Sequence, residues 1–295
     1  RQIVTCGDGA LTIWNVSSGE VLRVISPRFV PPGGSALRES FRRVEMFPNG
    51  DRLLTWGRQS WATIFDIATA AVVCDLHGHN FPINAARVFP VGDRVITGSI
   101  DGFAIIWNVS SCSSLTRLHH TEGVMGVEVL GVGETVATLS SLGATVVWTA
   151  ASGQRRHVLV FQTPRFAEIV LGMRVFPDGE RLLTFDSEVA TVWNTTTGGA
   201  LRRLHTSPTY LGDIAVSPDG ELIVTCGSDE VTIWNATSGA VLWSHDEASV
   251  GPPTAASLDS CFVGMGLTTA LDPRGLGGGL SWRKLPRMWP VLGAP

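Results

Sequence analysis

The chain has no run of the roughly 18 apolar residues that a bilayer span requires, so membrane insertion through a helix is not expected. No window holds apolar side chains at i, i+3, i+4 and i+7 long enough to make a long helix. Lysine is almost missing: Lys284 is the only one, and every other basic residue is arginine. With 22 basic against 26 acidic residues and a formal net charge of −4, the surface is not broadly basic, which excludes general nucleic-acid binding. The five cysteines, Cys6, Cys74, Cys112, Cys226 and Cys261, form no C-x-x-C pair and are odd in number. They are expected to be reduced, buried thiols in a cytoplasmic or nuclear protein rather than a disulfide frame.

Signatures of chemistry are missing too. There is no G-x-x-x-x-G-K-[S/T], no G-x-G-x-x-G opening a helix, no G-x-S-x-G elbow and no H-E-x-x-H. The histidines His77, His79, His119, His120, His157, His205 and His245 mostly stand at strand ends, and the pair His119-His120 reads as a strand-end histidine beside its neighbour. Cys6 and Cys226 share the context Val-Thr-Cys-Gly, a duplicated packing position without a positioned base. No catalytic residue, metal ligand set or cofactor is expected.

What is present is strand chemistry. A chain of 295 residues, 44% hydrophobic and 16% charged, can bury a large core, and its strand formers and glycines point to an all-β class. The stretch from Leu76 to Asn108 sets the plan. It runs from Gly78-His79 through a β-like run to a Pro90-x-Gly92 turn, then a second run to Thr97, a Ser99 to Gly102 turn and a third run closing on Trp107-Asn108. These residues resemble a WD-repeat unit, the four-stranded blade of a β-propeller, with Trp-Asn in place of Trp-Asp. The resemblance implies a structural hydrogen-bonded tetrad of His79, Thr97, Asp101 and Trp107. Such a chain would satisfy a buried indole N–H and a buried hydroxyl and end on a charge near solvent.

Aromatic anchors recur at Trp14, Phe65, Trp107, Trp148, Trp193 and Trp234, the last three intervals being 41, 45 and 41 residues by subtraction. The turn Phe47-Pro48-Asn49-Gly50-Asp51 is copied at Phe89 to Asp93, at Phe176 to Glu180 and, with Ser217 leading, at Ser217 to Glu221. A single propeller over 1–295 is expected, with units near 1–25 (partial), 41–79, 80–120, 121–160, 167–206, 210–246 and 253–292 (degenerate). The first unit supplies strands b, c and d without an a. Seven antiparallel blades are expected, or six if Pro253 to Leu258 completes the first. The second unit lacks a tetrad, with Phe65-Asp66 for Trp-Asp and Gln59 at the turn, and the fourth has Leu142 where the turn Asp would be. The four N-x-[S/T] matches, at Asn15, Asn108, Asn194 and Asn235, occupy one repeat position and read as turn residues rather than glycosylation acceptors.

The function expected is therefore a non-enzymatic interaction scaffold. In a propeller the d–a and b–c loops share one face, and here they carry Arg28, Phe29, Arg38, Arg58, Trp61, Asn80, Phe81, Arg165, Phe166 and Tyr210. Arginine and aromatic side chains dominate protein–protein hot spots. Other proteins or peptides are the expected partners of a monomeric propeller within a larger chain or complex. The competing reading is an enzyme or small-ligand binder with its site in the central channel, where the inner runs look mainly apolar with isolated Arg87 and Arg174. The chain opens at Arg1 inside a repeat, so any targeting segment is expected upstream of it.

Overall fold

Alternating apolar residues between Pro-Gly and Asn-rich turns favour short strands, and the described residues of a computed structural model of the protein form strands joined by turns, bends and short connections. It describes residues 2–7, 10–25, 41–159, 170, 172–206, 211–227 and 230–246. The first sheet has three strands, β1 (Gln2–Gly7), β2 (Ala10–Asn15) and β3 (Val21–Ile25). Four-stranded sheets follow, the second being β4 (Phe41–Met46), β5 (Arg52–Gly57), β6 (Trp61–Asp66) and β7 (Val72–His77). The third is β8 (Ile83–Val88), β9 (Arg94–Ser99), β10 (Phe103–Asn108) and β11 (Ser113–His119). The fourth is β12 (Val124–Leu130), β13 (Thr135–Ser140), β14 (Thr145–Thr149) and β15 (Arg155–Leu159). The fifth is β16 (Gly172–Val175), β17 (Arg181–Phe185), β18 (Val189–Asn194) and β19 (Ala200–His205). The sixth is β20 (Leu211–Val216), β21 (Leu222–Gly227), β22 (Glu230–Asn235) and β23 (Val241–Asp246). Each is an antiparallel meander, so the class is all-β with propeller blades. The expected unit at 253–292 lies outside the described residues.

The core is five apolar layers, each between two consecutive sheets. Leu11 and Ile13 meet Leu53 and Phe65 between the first and second, and Leu54 and Ile64 meet Ile105 and Trp107 between the second and third. Ile106 with Val136 and Trp148, Leu139 with Leu182 and Trp193, and Val192 with Ile223 and Trp234 continue the series. Sandwiching explains the burial: β5, β9 and β13 are buried at almost every position, because both faces meet a neighbour. The first strands touch from sheet to sheet, β8 with β12 and β12 with β16, and so form the inner edge. The fourth strands are outermost and exposed.

Two local devices repeat. In every sheet the register slips between the residue before the aromatic anchor and the anchor itself, as at Ile106/Trp107 and Ile64/Phe65, a bulge that sharpens the twist. After the anchor, Asn15, Asp66, Asn108, Asn194 or Asn235 accepts hydrogen bonds from turn N–H groups through Oδ1. The fifth residue of that turn then sits at positive φ: glycine at 19, 153, 198 and 239, but Ala70 and Cys112 at φ 58° and 55°.

The expectation of reduced thiols is overturned for three cysteines. Cys74 on β7 and Cys112 in the turn after β10 form a disulfide, their Cα atoms 5.8 Å apart, and Cys226 is disulfide-bonded as well. Spacing along the chain hid the first pair: 38 residues separate cysteines that only face-to-face packing of neighbouring sheets brings together.

Candidate functional site

In the third sheet the turn before β8 delivers His79 against β9. The Trp107 indole donates to Thr97 Oγ1 at 2.8 Å, Thr97 Oγ1 lies 2.8 Å from His79 Nε2, and His79 Nδ1 lies 2.9 Å from Asp101 Oδ2. A carboxylate only accepts, so in the neutral ring Nδ1–H donates to Asp101 and Nε2 accepts from the Thr97 hydroxyl. Burial pushes His79 below its ordinary range despite the carboxylate beside it. Burial pulls Asp101 the other way, but the Asn80 and Phe103 N–H groups and the His79 ring hold it below the usual carboxylate range. The hydroxyl, imidazole and carboxylate thus copy the layout of a hydrolytic triad, but Thr97 is 0% exposed and already accepts the indole N–H. No substrate reaches it, and the arrangement is a structural clamp that also fixes the Asn80 N–H.

The fourth sheet holds a second clamp that the sequence reading missed. His120 Nε2 lies 2.6 Å from Thr138 Oγ1, which accepts the Trp148 indole N–H at 2.7 Å. The signal was present: His120 precedes Thr138 by 18 residues, as His79 precedes Thr97. The first, fifth and sixth sheets keep the indole-to-threonine bond, Trp14 to Thr5, Trp193 to Thr184 and Trp234 to Thr225.

Along the inner edge, Glu45, Arg87, Glu128 and Arg174 pair with Leu54, Ile96, Ala137 and Leu183, so they occupy one register level on successive first strands. Arg87 and Arg174 are therefore not isolated, which corrects the sequence reading. Arg87 donates to both Glu128 oxygens, Nη2 at 2.8 Å and Nε at 3.0 Å, and Nη1 donates to the Ala86 carbonyl. Arg174 Nη2 donates to Asp213 at 2.8 Å. The partners are 41 and 39 residues away, beyond what one unit reveals by itself. Both guanidinium groups are neutralised by the protein's own carboxylates, which leaves the inner edge poorly suited to an anionic substrate.

Glu45 is the exception in this belt. Its Oε1 accepts the Val88 N–H, while Oε2 is buried without a hydrogen bond, 3.8 Å from Arg87 Nη1. Burial pushes its carboxyl up to about 7, against the pull of Arg87. A group raised from 4.5 in this way favours folding below pH 4.5, and that contribution is lost as pH rises through about 7. Its side chain is 28% exposed, so solvent screening reduces the effect. Glu45→Gln should be more stable than wild type by about 1–2 kcal/mol near pH ~8, with the gap closing towards mildly acidic pH. Urea midpoints across pH measure it, and a variant less stable near pH ~8 would contradict the assignment.

The loops on the other rim of the sheets hold the remaining candidates. Arg58 and Asn80 are exposed, Phe81 is 56% exposed, and Trp61 is half-buried with its ring 5.4 Å from that of His77. Arg28, Phe29, Arg38, Arg165, Phe166 and Tyr210 lie outside the described residues. Backbone bonds lace the loops together: Ile83 N–H donates to Gln59, Ile100 to Pro82, His120 to Gly102 and Ser141 to Gly123. Ile100 and Leu142, in turns of these loops, and Met125, at the start of β12, are 51%, 69% and 49% exposed, as Phe81 is at 56%. The sequence reading searched for arginine and aromatic residues and passed over these aliphatic ones, although Ile100 and Leu142 sit in turns where a polar residue is usual.

Residues 71–108 and 200–235 match the family model described as WD domain, G-beta repeat. The chain carries WD repeats at these two places. Comparison with curated proteins found no match. The two matched WD repeats begin on or beside an outermost strand, β7 or β19, and end on the anchor strand of the next sheet, β10 or β22, so each straddles a joint between sheets. WD repeats in general build scaffolds on which proteins meet. Among the described residues no helix is long and apolar enough to cross a membrane, and no group of three His, Cys, Asp or Glu is placed to hold a metal ion.

Proposed function

We propose that this WD-repeat protein is a non-catalytic platform that captures other proteins on the loop face of its second to fourth sheets. One observation supports the reading: Phe81, Ile100 and Leu142 stand exposed on loops whose backbones are already tied to each other, and Met125 stands exposed at the start of β12 beside them in sequence. Exposed apolar side chains on a preorganised surface lose little conformational freedom when a partner covers them. Arg58 precedes Gln59, which is bonded to Ile83, and offers an exposed cation to an acidic side chain of the partner.

Two double variants test it on the immobilised protein against partners captured by the wild type. Arg58→Ala with Trp61→Ala, and Phe81→Ser with Leu142→Ser, should each weaken capture by about tenfold or more while the melting temperature stays within a few degrees. Undiminished capture by both folded variants would overturn this choice of face.

A further inference from the structure

At four of the five joints between described sheets, one residue of the outermost strand faces the turn that follows the anchor in the next sheet. Cys74, Thr116, His157 and Arg202 are equivalent, each paired with the residue just before the register slip. Thr116 Oγ1 donates to the Ala151 carbonyl at 3.4 Å, His157 Nε2 to Thr196 at 2.8 Å and Arg202 Nε to Thr237 at 2.7 Å. In all three cases the accepting carbonyl lies two residues before the glycine at positive φ. At the second joint that glycine is replaced by Cys112 and the donor by Cys74, and the hydrogen bond gives way to a disulfide. A cysteine that keeps φ near 55° where four other turns use glycine forgoes an easy backbone position, as Ala70 also does at 58°, but here the turn residue is covalently tied to the facing strand.

We propose that Cys74–Cys112 is a redox-operated latch between the second and third sheets, opened by a dithiol reductant. Cys112 is half-buried in a surface turn and Cys74 is 3% exposed, so the incoming thiolate attacks the Cys112 sulfur and expels Cys74 as a thiolate, which takes up a proton. The second thiol of the reductant then displaces Cys112, leaving two protein thiols and the reductant as its cyclic disulfide. Two electrons and two protons have passed to the protein. Once open, this joint lacks the covalent bond, has only weak S–H donors where the three later joints have a hydroxyl, an imidazole or a guanidinium, and keeps a non-glycine residue at positive φ.

Differential alkylation and melting curves test the proposal with dithiothreitol as the reductant. Protein purified without reductant should show Cys74 and Cys112 blocked to iodoacetamide, and dithiothreitol should expose both and lower the melting temperature by about 5–10 °C. Because Cys226 is disulfide-bonded too, the Cys74→Ser, Cys112→Gly double variant supplies the background, and its drop on reduction should be smaller by that amount. In reducing buffer Cys112→Gly should melt above wild type, since glycine accepts the turn's backbone. Alkylation of both cysteines in the unreduced native protein, or equal drops in wild type and double variant, would overturn the latch.

Discussion

Trp107→Ala should lower stability by about 3–5 kcal/mol, the largest loss expected from any single side chain in this protein. The indole is 2% exposed and lies in the layer between the second and third sheets, against residues such as Ile64 and Leu76. Its removal opens a cavity and also takes a donor from Thr97 Oγ1, which keeps His79 and the Ile105 carbonyl. Trp107→Phe separates the two effects. The second sheet already carries Phe65 at the equivalent place, so the packing space accepts a phenyl ring, and the loss should fall to about 1–2 kcal/mol. Gly78 adds a constraint from the other side, because a Cβ there would stand 2.8 Å from the indole. Urea unfolding of the two variants measures the difference; a loss below about 1 kcal/mol for Trp107→Ala would mean that the clamp carries little of the fold.

How far these features could be read beforehand depended on how far along the chain each one reaches. Turns were legible because they are local: Pro and Gly set the hairpins at Phe47 to Asp51 and Phe89 to Asp93, and Gly50 and Gly92 do adopt positive φ. Anchors were legible because they repeat, so Trp148, Trp193 and Trp234 could be placed without knowing their neighbours. Features made between units were not. Arg87 looks isolated until β12 is laid beside β8 and supplies Glu128, and Cys74 looks like a buried thiol until the next turn brings Cys112 to it. Both pairs join residues about one repeat apart, and repeat architectures place such residues side by side. Searching for complementary residues offset by one period would have found Arg87 with Glu128 and Arg174 with Asp213. The exposed aliphatic residues were missed for a different reason: Ile100 and Leu142 are ordinary strand formers, and only their place in turns marks them.

Two clamps of one design should respond differently to acid, and the difference rests on a single carboxylate. His79 donates to Asp101, which offsets part of the cost of charging the ring. For His120 no described carboxylate is hydrogen-bonded to the ring, and burial, helped by the like charge of Arg155 and only partly opposed by Glu122, pushes it down to about 4 from 6.5. A depressed histidine stabilises the fold above its unfolded value, and that contribution is lost as pH falls from about 6.5 through 4. A shift of this size corresponds to about 3 kcal/mol, so acid should open the joint between the third and fourth sheets before the one between the second and third. His120→Gln cannot charge and should flatten the pH dependence over that window, while the matching change at His79 should flatten it less. Urea unfolding of both variants and wild type, from neutral pH down to 4, provides the comparison. If His79→Gln removed as much of the acid loss as His120→Gln, the carboxylate would have no protective role, and the greater acid sensitivity assigned to the fourth sheet would be wrong.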